Sequence, residues 1–417
     1  MASDIQALRV EKLSSHGEGI AFSNGKAIFI PYTIPEETVS VEVVEDHSSF
    51  SRARLLKVEE ASPHRVEAPC PLFGICGGCA LQHIEYSAQK SFKQRAAQEA
   101  FARIGGFDAG ELPIVAGEPY GYRNRTQVHA TKDGALGFTQ ANSRDVVKTP
   151  RCPTLVPVLN RWLSSENRKA NPYRALSALI GDRPRFTAFG QDEHIYIEGR
   201  DAYARAAVAG KDFQFPTGHF FQSNLGVLEM LIERELGPIR AAGRGEIGNE
   251  IDKISEAGRP HEADGIASGH GNYALDLYSG AGLFSLFLAD RFEAIECVES
   301  EAASVEAARM NLRGSSARIH FSDIPVERWI RTPRATYRFD TIVTDPPRTG
   351  LSPDVRSWLG SAKADTLVYV SCDHASLARD LKELKNRGWS IETIALYDFY
   401  PQTGRLEAVA RLVRDAQ

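Results

Sequence analysis

From Pro216 onward the chain alternates helix-period segments with short apolar, β-branched runs: ALDLYSG, AIECVES, ARIHFSD, FDTIVTDPPR, TLVYVSCD, SIETIALYDFY and LEAVARLV. Runs that are apolar on both faces and separated by helical segments bury themselves best as a parallel sheet wrapped by helices. Residues 216–417 are therefore expected to form an α/β domain of Rossmann-like type. Between Arg240 and Tyr273 a Gly/Glu/Asp-rich stretch has neither period, and 241–272 is expected to be an exposed loop or insertion. A length of 417 residues leaves room for two further units ahead of this domain.

The first of these spans residues 1–60. Its short runs RVEKL, GIAF, AIFIPY, TVSVEVVE and SRARLLKV are punctuated by SHGEG, SNGK and TIPEE, the pattern of a small β-barrel. Val39, Val41 and Val43 alternate with Ser40 and Glu42, which puts one face in a core, as a closed OB-like barrel requires. Residues 61–215 mix strand and helix patterns and are expected to form a central α+β domain. In it, a Gly-rich loop with Cys70, Cys76 and Cys79 runs into a helix from about Tyr86 to Ile104 that Gly105-Gly106 stops, and a further cysteine follows at Cys152.

Charge and composition limit the function classes. A formal net charge of −5 argues against a protein that coats nucleic acid, but residues 1–60 carry 6 Lys/Arg against 10 Asp/Glu, whereas residues 61–170 carry 14 against 9. A polyanion footprint therefore starts in the middle of the chain. Apolar residues at 42%, charged residues at 25% and no apolar run near the roughly 20 residues of a membrane span describe a globular, non-membrane chain. With no basic-then-apolar start, a cytoplasmic location is expected. Six cysteines, three of them within ten residues, are too few and too unevenly spread for a secreted disulfide framework and read as chemical.

The chemistry concentrates where the strands of the α/β domain end. ALDLYSGAGLFSLFLA is a strand turning through Gly280 and Gly282 into a helix, with Asp276 at the strand end. Glu299 ends the next apolar run, where a carboxylate commonly binds a ribose diol. Packing glycines at a tight turn are the bland explanation, which the order strand, Gly-x-Gly, helix, strand, acid makes less apt. Ser285 stands where a dinucleotide fold would place a third glycine, and a later strand ends in Asp345-Pro346-Pro347-Arg348, so S-adenosylmethionine is favoured over a dinucleotide. The next strand ends in Ser371-Cys372-Asp373, a thiol at the same edge, either a nucleophile or a small packing residue. Glu407, near the end of the chain, is a candidate base or a surface salt-bridge partner.

Six motifs in order resemble the uracil-C5 RNA methyltransferase family over the whole chain: HFFQSN at His219–Asn224, DLYSGAGLFSL at Asp276–Leu286, VE at 298–299, DPPRTG, SCD, and the terminal DFYPQT leading to Glu407. The resemblance implies a methyltransferase domain of the class I, S-adenosylmethionine-dependent kind. It implies that Gln222, Tyr278, Glu299, Asp323 and Asp345 form the cofactor pocket with Gly280 and Gly282, that Cys372 is the nucleophile and that Glu407 is the proton-abstracting base. The N-terminal strands resemble the family's TRAM barrel, an RNA-binding module, for which a basic strip such as Arg52, Arg54 and Lys57 is expected. Four soft thiolates, Cys70, Cys76, Cys79 and distant Cys152, suit zinc or an iron–sulfur cluster by spacing alone. The resemblance favours [4Fe–4S], with a structural or RNA-orienting role, and Cys297 is read as packing. Ser279, Leu283 and Arg405 depart from the family's usual residues, as does the 241–272 insertion.

Uracil C5 is too weak a nucleophile to take a methyl group unaided, so a thiolate adding at C6 and a base at C5 form a coherent pair. The expected product is 5-methyluridine in structured RNA, with ribosomal RNA favoured over transfer RNA and a monomeric enzyme. The rival readings are a cytosine-C5 or base-amine methyltransferase and a non-catalytic RNA-binding assembly factor.

Overall fold

The computed structural model describes residues 5–181, 183–236 and 273–415, so the stretch 241–272 lies outside the described residues. Strands β1 (Ile5–Leu13), β2 (Gly19–Ser23), β3 (Lys26–Ile30), β4 (Thr38–Asp46) and β5 (Phe50–Glu60) close into a barrel in the order β1-β2-β3-β5-β4. Val10, Ala21, Ile28, Ile30, Val39, Val41 and Ala53 fill it. Val43 departs from the expected alternation and is only partly buried, because the β4–β5 register shifts between Val43 and Glu45 and turns the strand end toward the rim. The expected basic strip is neutralised: Arg52 pairs with Glu18 at 2.6 Å, Arg54 with Glu42, and Lys57 with Glu59 at 2.5 Å. Carboxylates beside each of these cations cancel much of the positive field that β5 would otherwise present.

The cysteine loop follows, then α1 (Tyr86–Ala100), which continues through a wider turn at Phe101–Gly105 and stops at Gly106 with φ 70°. Strand β6 (Ile114–Ala116) leaves this region to join the edge of the C-terminal sheet. Strands β7 (Arg125–Ala130), β8 (Leu136–Thr139) and β9 (Val146–Lys148), helices α2 (Pro157–Glu166) and α3 (Pro172–Ile180), and strands β10 (Arg185–Gln191) and β11 (His194–Ile197) come next. The five strands pair in the order β11-β10-β7-β8-β9, and Leu159, Leu163 and Leu176 from the helices pack against Val128, Phe186 and Ile197. The hairpin β12 (Tyr203–Val208) and β13 (Lys211–Pro216) leads to α4 (Leu225–Leu231).

The C-terminal layer holds β14 (Tyr273–Leu277), α5 (Leu283–Leu288), β15 (Ala294–Val298), α6 (Ala302–Asn311), β16 (Arg318–Ser322), α7 (Val326–Trp329), β17 (Arg338–Thr344), α8 (Pro353–Ser361), β18 (Lys363–Ser371), α9 (His374–Lys385), β19 (Trp389–Asp398) and β20 (Glu407–Arg414). The sheet order is β16-β15-β14-β17-β18-β20-β19-β6, parallel from β16 to β18 and antiparallel where β20 meets both neighbours. Every residue of β14 and β15 is buried, as expected of central strands covered on both faces. The chain leaves β14 toward β15 and returns on its other side as β17, so the loops after β14 and β17 diverge and open a crevice at the carboxyl edge.

Candidate active site

The crevice is built from β14 outward. After Leu277 the backbone takes positive φ at Tyr278 (60°), Gly280 (53°) and Gly282 (81°) before α5 begins. A Cβ at Gly282 would lie 3.1 Å from that of Ala308, so this glycine lets the turn press onto α6, whereas a Cβ at Gly280 would meet nothing within 4 Å and faces open space. Glu299 secures the same turn. Its Oε2 accepts from the Gly280 N–H at 3.0 Å, and its Oε1 accepts from the N–H groups of Ser300 and Glu301 at 2.6 and 2.8 Å.

Asp276 accepts from both the backbone N–H and the hydroxyl of Ser285, at 3.0 and 2.6 Å, through one oxygen. Its other oxygen is buried without a partner, and so are Oε1 of Gln222, Oγ of Ser223, Oγ of Ser279 and Oγ1 of Thr344. Buried polar atoms are rarely left unpaired. This set, drawn from the two ends of β14 and β17 and the segment ahead of α4, fits a polar ligand of nucleoside type.

On the other side of Asp345, Ser371 at the end of β18 pairs with Ala408 of β20, which sets Cys372, the residue after β18, across from Glu407 at the start of β20. Glu407 is buried and accepts from Gln222 Nε2 at 3.3 Å. Burial, reinforced by the charge of Asp345, pushes Glu407 up to about 8. Burial, with Asp276 adding, pushes Asp345 up to about 7, and Asp276 itself is pushed to about 7 by burial despite its bonds to Ser285. Cys372 is half-buried. Desolvation and the charges of Glu407 and Asp345 raise its thiol pKa, while Arg348 opposes them. The structure thus brings Gln222, Asp345, Cys372 and Glu407 together, with Asp276, Gly280, Gly282 and Glu299 beyond them.

Two expected cofactor residues sit at the rim. The Tyr278 hydroxyl donates to Glu327 at 3.3 Å, and exposed Asp323 is held by Arg309 through two bonds of 3.0 and 3.1 Å, with Arg309 over the Phe321 ring at 4.5 Å. Cys297 is buried beside the Ser285 hydroxyl at 3.1 Å, in keeping with packing.

Cys70, Cys76, Cys79 and Cys152 all line one cavity of about 470 Å³, which also takes in Tyr400, Thr403, Gly404 and Arg405 from the terminal loop. Burial raises the Cys70 and Cys76 thiols and pushes Cys79 up to about 12, and the charge of Cys152 adds to each. Among the described residues no three His, Cys, Asp or Glu side chains converge on a single metal ion.

Sequence reasoning missed how the 398–407 loop is held. The Lys93 ammonium donates to Asp398 at 2.8 Å and to the Tyr400 carbonyl at 3.2 Å, deep inside the protein, and Tyr86 donates to the same carboxylate at 3.2 Å. Gln89 donates to Gln402 at 3.0 Å, the Gln402 carbonyl accepts from the N–H groups of Ala80 and Leu81 at 2.9 and 3.0 Å, and Tyr122 donates to the Pro401 carbonyl at 2.9 Å. The polar run Asp398-Phe399-Tyr400-Pro401-Gln402 was the signal. Its partners lie about three hundred residues upstream.

A parallel sheet with a glycine turn after its central strand and an acid closing the next strand defines the C-terminal layer as a methyltransferase fold of the S-adenosylmethionine-dependent class. Residues 263–415 match the family model described as tRNA (Uracil-5-)-methyltransferase, and residues 4–56 match the TRAM domain. The chain is 32% identical over 451 residues to the 23S rRNA (uracil(1939)-C(5))-methyltransferase RlmD of Shewanella sediminis, covering 97% of this chain and 94% of the relative. It is 30% identical over 418 residues to an uncharacterized RNA methyltransferase of Treponema denticola, covering 93% and 94% of the two chains. The crystal structure of Pyrococcus abyssi tRNA (uracil-54, C5)-methyltransferase in complex with S-adenosyl-L-homocysteine shares the fold, with TM-score 0.68 and 23% identity over 98% of this chain and 100% of that one. The chain belongs to the RNA uracil-C5 methyltransferase family and is an enzyme of that class. Among the described residues no helix is long and apolar enough to cross a membrane.

Proposed function

We infer that this protein methylates C5 of a uridine in structured RNA, with Cys372 as nucleophile and Glu407 as base. The observation that carries the reading is the pairing of β18 with β20, which sets a thiol beside a buried carboxyl at the edge of the crevice. S-adenosylmethionine, when bound, supplies the methyl group as an electrophilic sulfonium. Glu299, Gly280, Asp276 and Gln222 are the residues that would hold it, and the unpaired buried oxygens of Asp276 and Gln222 fit its polar groups.

Cys372 adds to uracil C6 as a thiolate, and the C5–C6 π electrons move to make C5 enolate-like. Arg348 favours that thiolate against burial and the charges of Glu407 and Asp345. Once C5 carries both its proton and the new methyl, Glu407 in its ionised form takes the C5 proton, the C5–C6 double bond re-forms, and the C6–S bond breaks to free Cys372. A carboxyl raised to about 8 is a stronger base than an ordinary carboxylate and suits this step at neutral pH. The uridine must leave its stack to reach the crevice. Residues 1–60 and 61–215 serve as the modules that hold the RNA in front of the 216–417 methyltransferase module.

Relatives at 30–32% identity over 97% of the chain carry a 23S rRNA activity in their names, which supports ribosomal over transfer RNA as the substrate. The cysteine cavity supports a [4Fe–4S] cluster. Its four thiols line one space, and burial raises those of Cys70, Cys76 and Cys79, so a cationic centre would be needed to hold these three as thiolates.

The test replaces the target uridine by 5-fluorouridine, from which Glu407 has no proton to take. A denaturation-resistant protein–RNA adduct should form, require S-adenosylmethionine, and vanish in Cys372→Ala. In Glu407→Gln it should appear with ordinary RNA. Normal uridine methylation by folded Cys372→Ala would overturn the mechanism. Mass spectrometry of nucleosides from cells with and without the protein identifies the RNA.

A further inference from the structure

On the outer side of the segment that carries Cys152 lies an open groove of about 700 Å³, lined by Arg151, Asn160, Arg161, Ser164, Ser165 and Arg168, with no carboxylate in its walls. We propose that this groove is a docking site for the RNA phosphodiester backbone, separate from the crevice that holds the reacting base. The proposal rests on the RNA-methyltransferase reading.

The groove follows from the register of α2. Val158, Leu159 and Leu163 turn into the core, which leaves Arg161, Ser164, Ser165 and Arg168 as a stripe at helical spacing on the opposite face. Arg168 lies just past the helix end, where the dipole favours a cation. The facing wall is fixed rigidly. Asn160 accepts from the Cys152 N–H at 2.9 Å and donates to the carbonyls of Cys152 and Leu155 at 2.8 and 3.0 Å, so the Arg151–Leu155 segment is clamped onto the helix. A clamped wall and a helix stripe present guanidinium and hydroxyl donors at constant spacing, the inventory that contacts phosphate oxygens.

Charge distinguishes this face from the barrel. Arg52, Arg54 and Lys57 are each paired with a carboxylate. Arg151 and Arg168 have no carboxylate partner among the described residues, and Arg161 has only Glu193, through an exposed pair at 2.7 Å of the kind that exchanges readily for another anion. The groove lies in the part of the chain where Lys and Arg number 14 against 9 acids. Leu155 lines both the groove and the cysteine cavity, and that cavity reaches Tyr400 and Arg405 of the loop leading to Glu407. The groove and that cavity are thus adjacent, with the buried Leu155 between them.

The test measures binding of a fluorescein-labelled RNA stem-loop by anisotropy as a function of KCl concentration, with full-length protein. Arg151→Gln/Arg168→Gln should weaken binding roughly tenfold at about 100 mM KCl and make the plot of log K against log salt shallower by about one per arginine removed. Glu193→Gln, which frees Arg161, should tighten binding. Cofactor affinity and melting temperature serve as folding controls, since all three side chains are exposed. If the double variant keeps the wild-type affinity and slope while the wild type methylates RNA, the groove is not the docking site although the function stands. Wild-type protein that binds the stem-loop through the groove yet methylates no RNA would instead sink the proposed activity. Capture of an acidic protein by the groove, with RNA affinity unchanged in the variants, would also overturn the proposal.

Discussion

Lys93→Met tests how the base-bearing loop is held. Lys93 and Asp398 are 2% and 0% exposed and 2.8 Å apart, and burial holds the lysine below its usual range against the pull of Asp398. Removing the ammonium leaves Asp398 with only the Tyr86 hydroxyl at 3.2 Å, and leaves the Tyr400 carbonyl with only the local donors of Thr403, its N–H at 3.2 Å and its hydroxyl at 2.8 Å. Breaking a buried pair from one side costs about 3–5 kcal/mol, whereas replacing both partners by apolar groups is often close to neutral. Lys93→Met/Asp398→Leu still leaves the Tyr86 hydroxyl unpaired, about 1–3 kcal/mol, so it should recover roughly 2 kcal/mol of the single variant's loss. Urea unfolding read by tryptophan fluorescence suits the measurement, because Trp329 and Trp389 are buried in the C-terminal core and Trp389 opens the strand that Asp398 closes. Both variants should lose single-turnover methyl transfer while keeping cofactor affinity, since the double variant restores charge balance without restoring the bond to Tyr400. A loss below about 1 kcal/mol for Lys93→Met, or a double variant no more stable than the single, would refute the reasoning.

Glu299→Ala should weaken S-adenosylmethionine binding by about 1–3 kcal/mol and leave RNA affinity unchanged; calorimetry showing undiminished cofactor affinity would remove Glu299 from the pocket. Anaerobically purified protein should be brown, with iron and sulfide near about four each per chain, and Cys152→Ser should lose both as completely as Cys76→Ser, whereas full iron in Cys152→Ser would exclude that residue as a ligand. Asp276 and Asp345 at about 7 and Glu407 at about 8 all lie above their unfolded values of 3.8, 3.8 and 4.5, so their contribution to stability is complete below about pH 4 and is lost as pH rises through 7 to 8. Thermal melts should fall from pH 5.5 to 8.5, and cationic S-adenosylmethionine should offset that fall more than neutral S-adenosylhomocysteine; equal offsets would show that the three carboxyls do not face the sulfonium.

The parts of this fold that could be read from sequence are those whose signal is local. The β14 turn was legible because Gly280, Gly282 and Glu299 stand within one strand–helix–strand unit, and the barrel was legible because inward and outward residues alternate along each strand. Val43 failed for a local reason that the alternation hides, a register shift in its pairing with β5. Strand β6 was not legible at all: Ile114–Ala116 is three residues long and gains its strand geometry by pairing with β19, nearly three hundred residues away. Asp323 was expected in the pocket from the family resemblance alone, and the sequence could not say that Arg309, on the helix α6 before its strand, would pair with it. The ion pairs of Arg52 with Glu18 and of Arg54 with Glu42 depend on how the barrel strands are brought together, which the sequence does not show, whereas the pair of Lys57 with Glu59 lies within β5 itself.

The terminal loop explains why a methyltransferase fold alone would not suffice here. Glu407 opens β20 at the end of a loop whose own hydrogen bonds are few, and whose Gln402 sits at positive φ, 68°, a strained conformation that must be held from outside. The cysteine loop holds it through Ala80 and Leu81, α1 through Gln89 and Lys93, and Tyr122 through Pro401. The barrel closes the remaining side: a Cβ at Gly404 would run into the backbone of His16 and Gly17. Each N-terminal module thus touches the segment that aims the base, so a change in the barrel tip or the cysteine cavity reaches Glu407 through direct contacts rather than through the sheet. The barrel tip is therefore a brace for the loop, and the cysteine cavity takes in the loop's Thr403, Gly404 and Arg405.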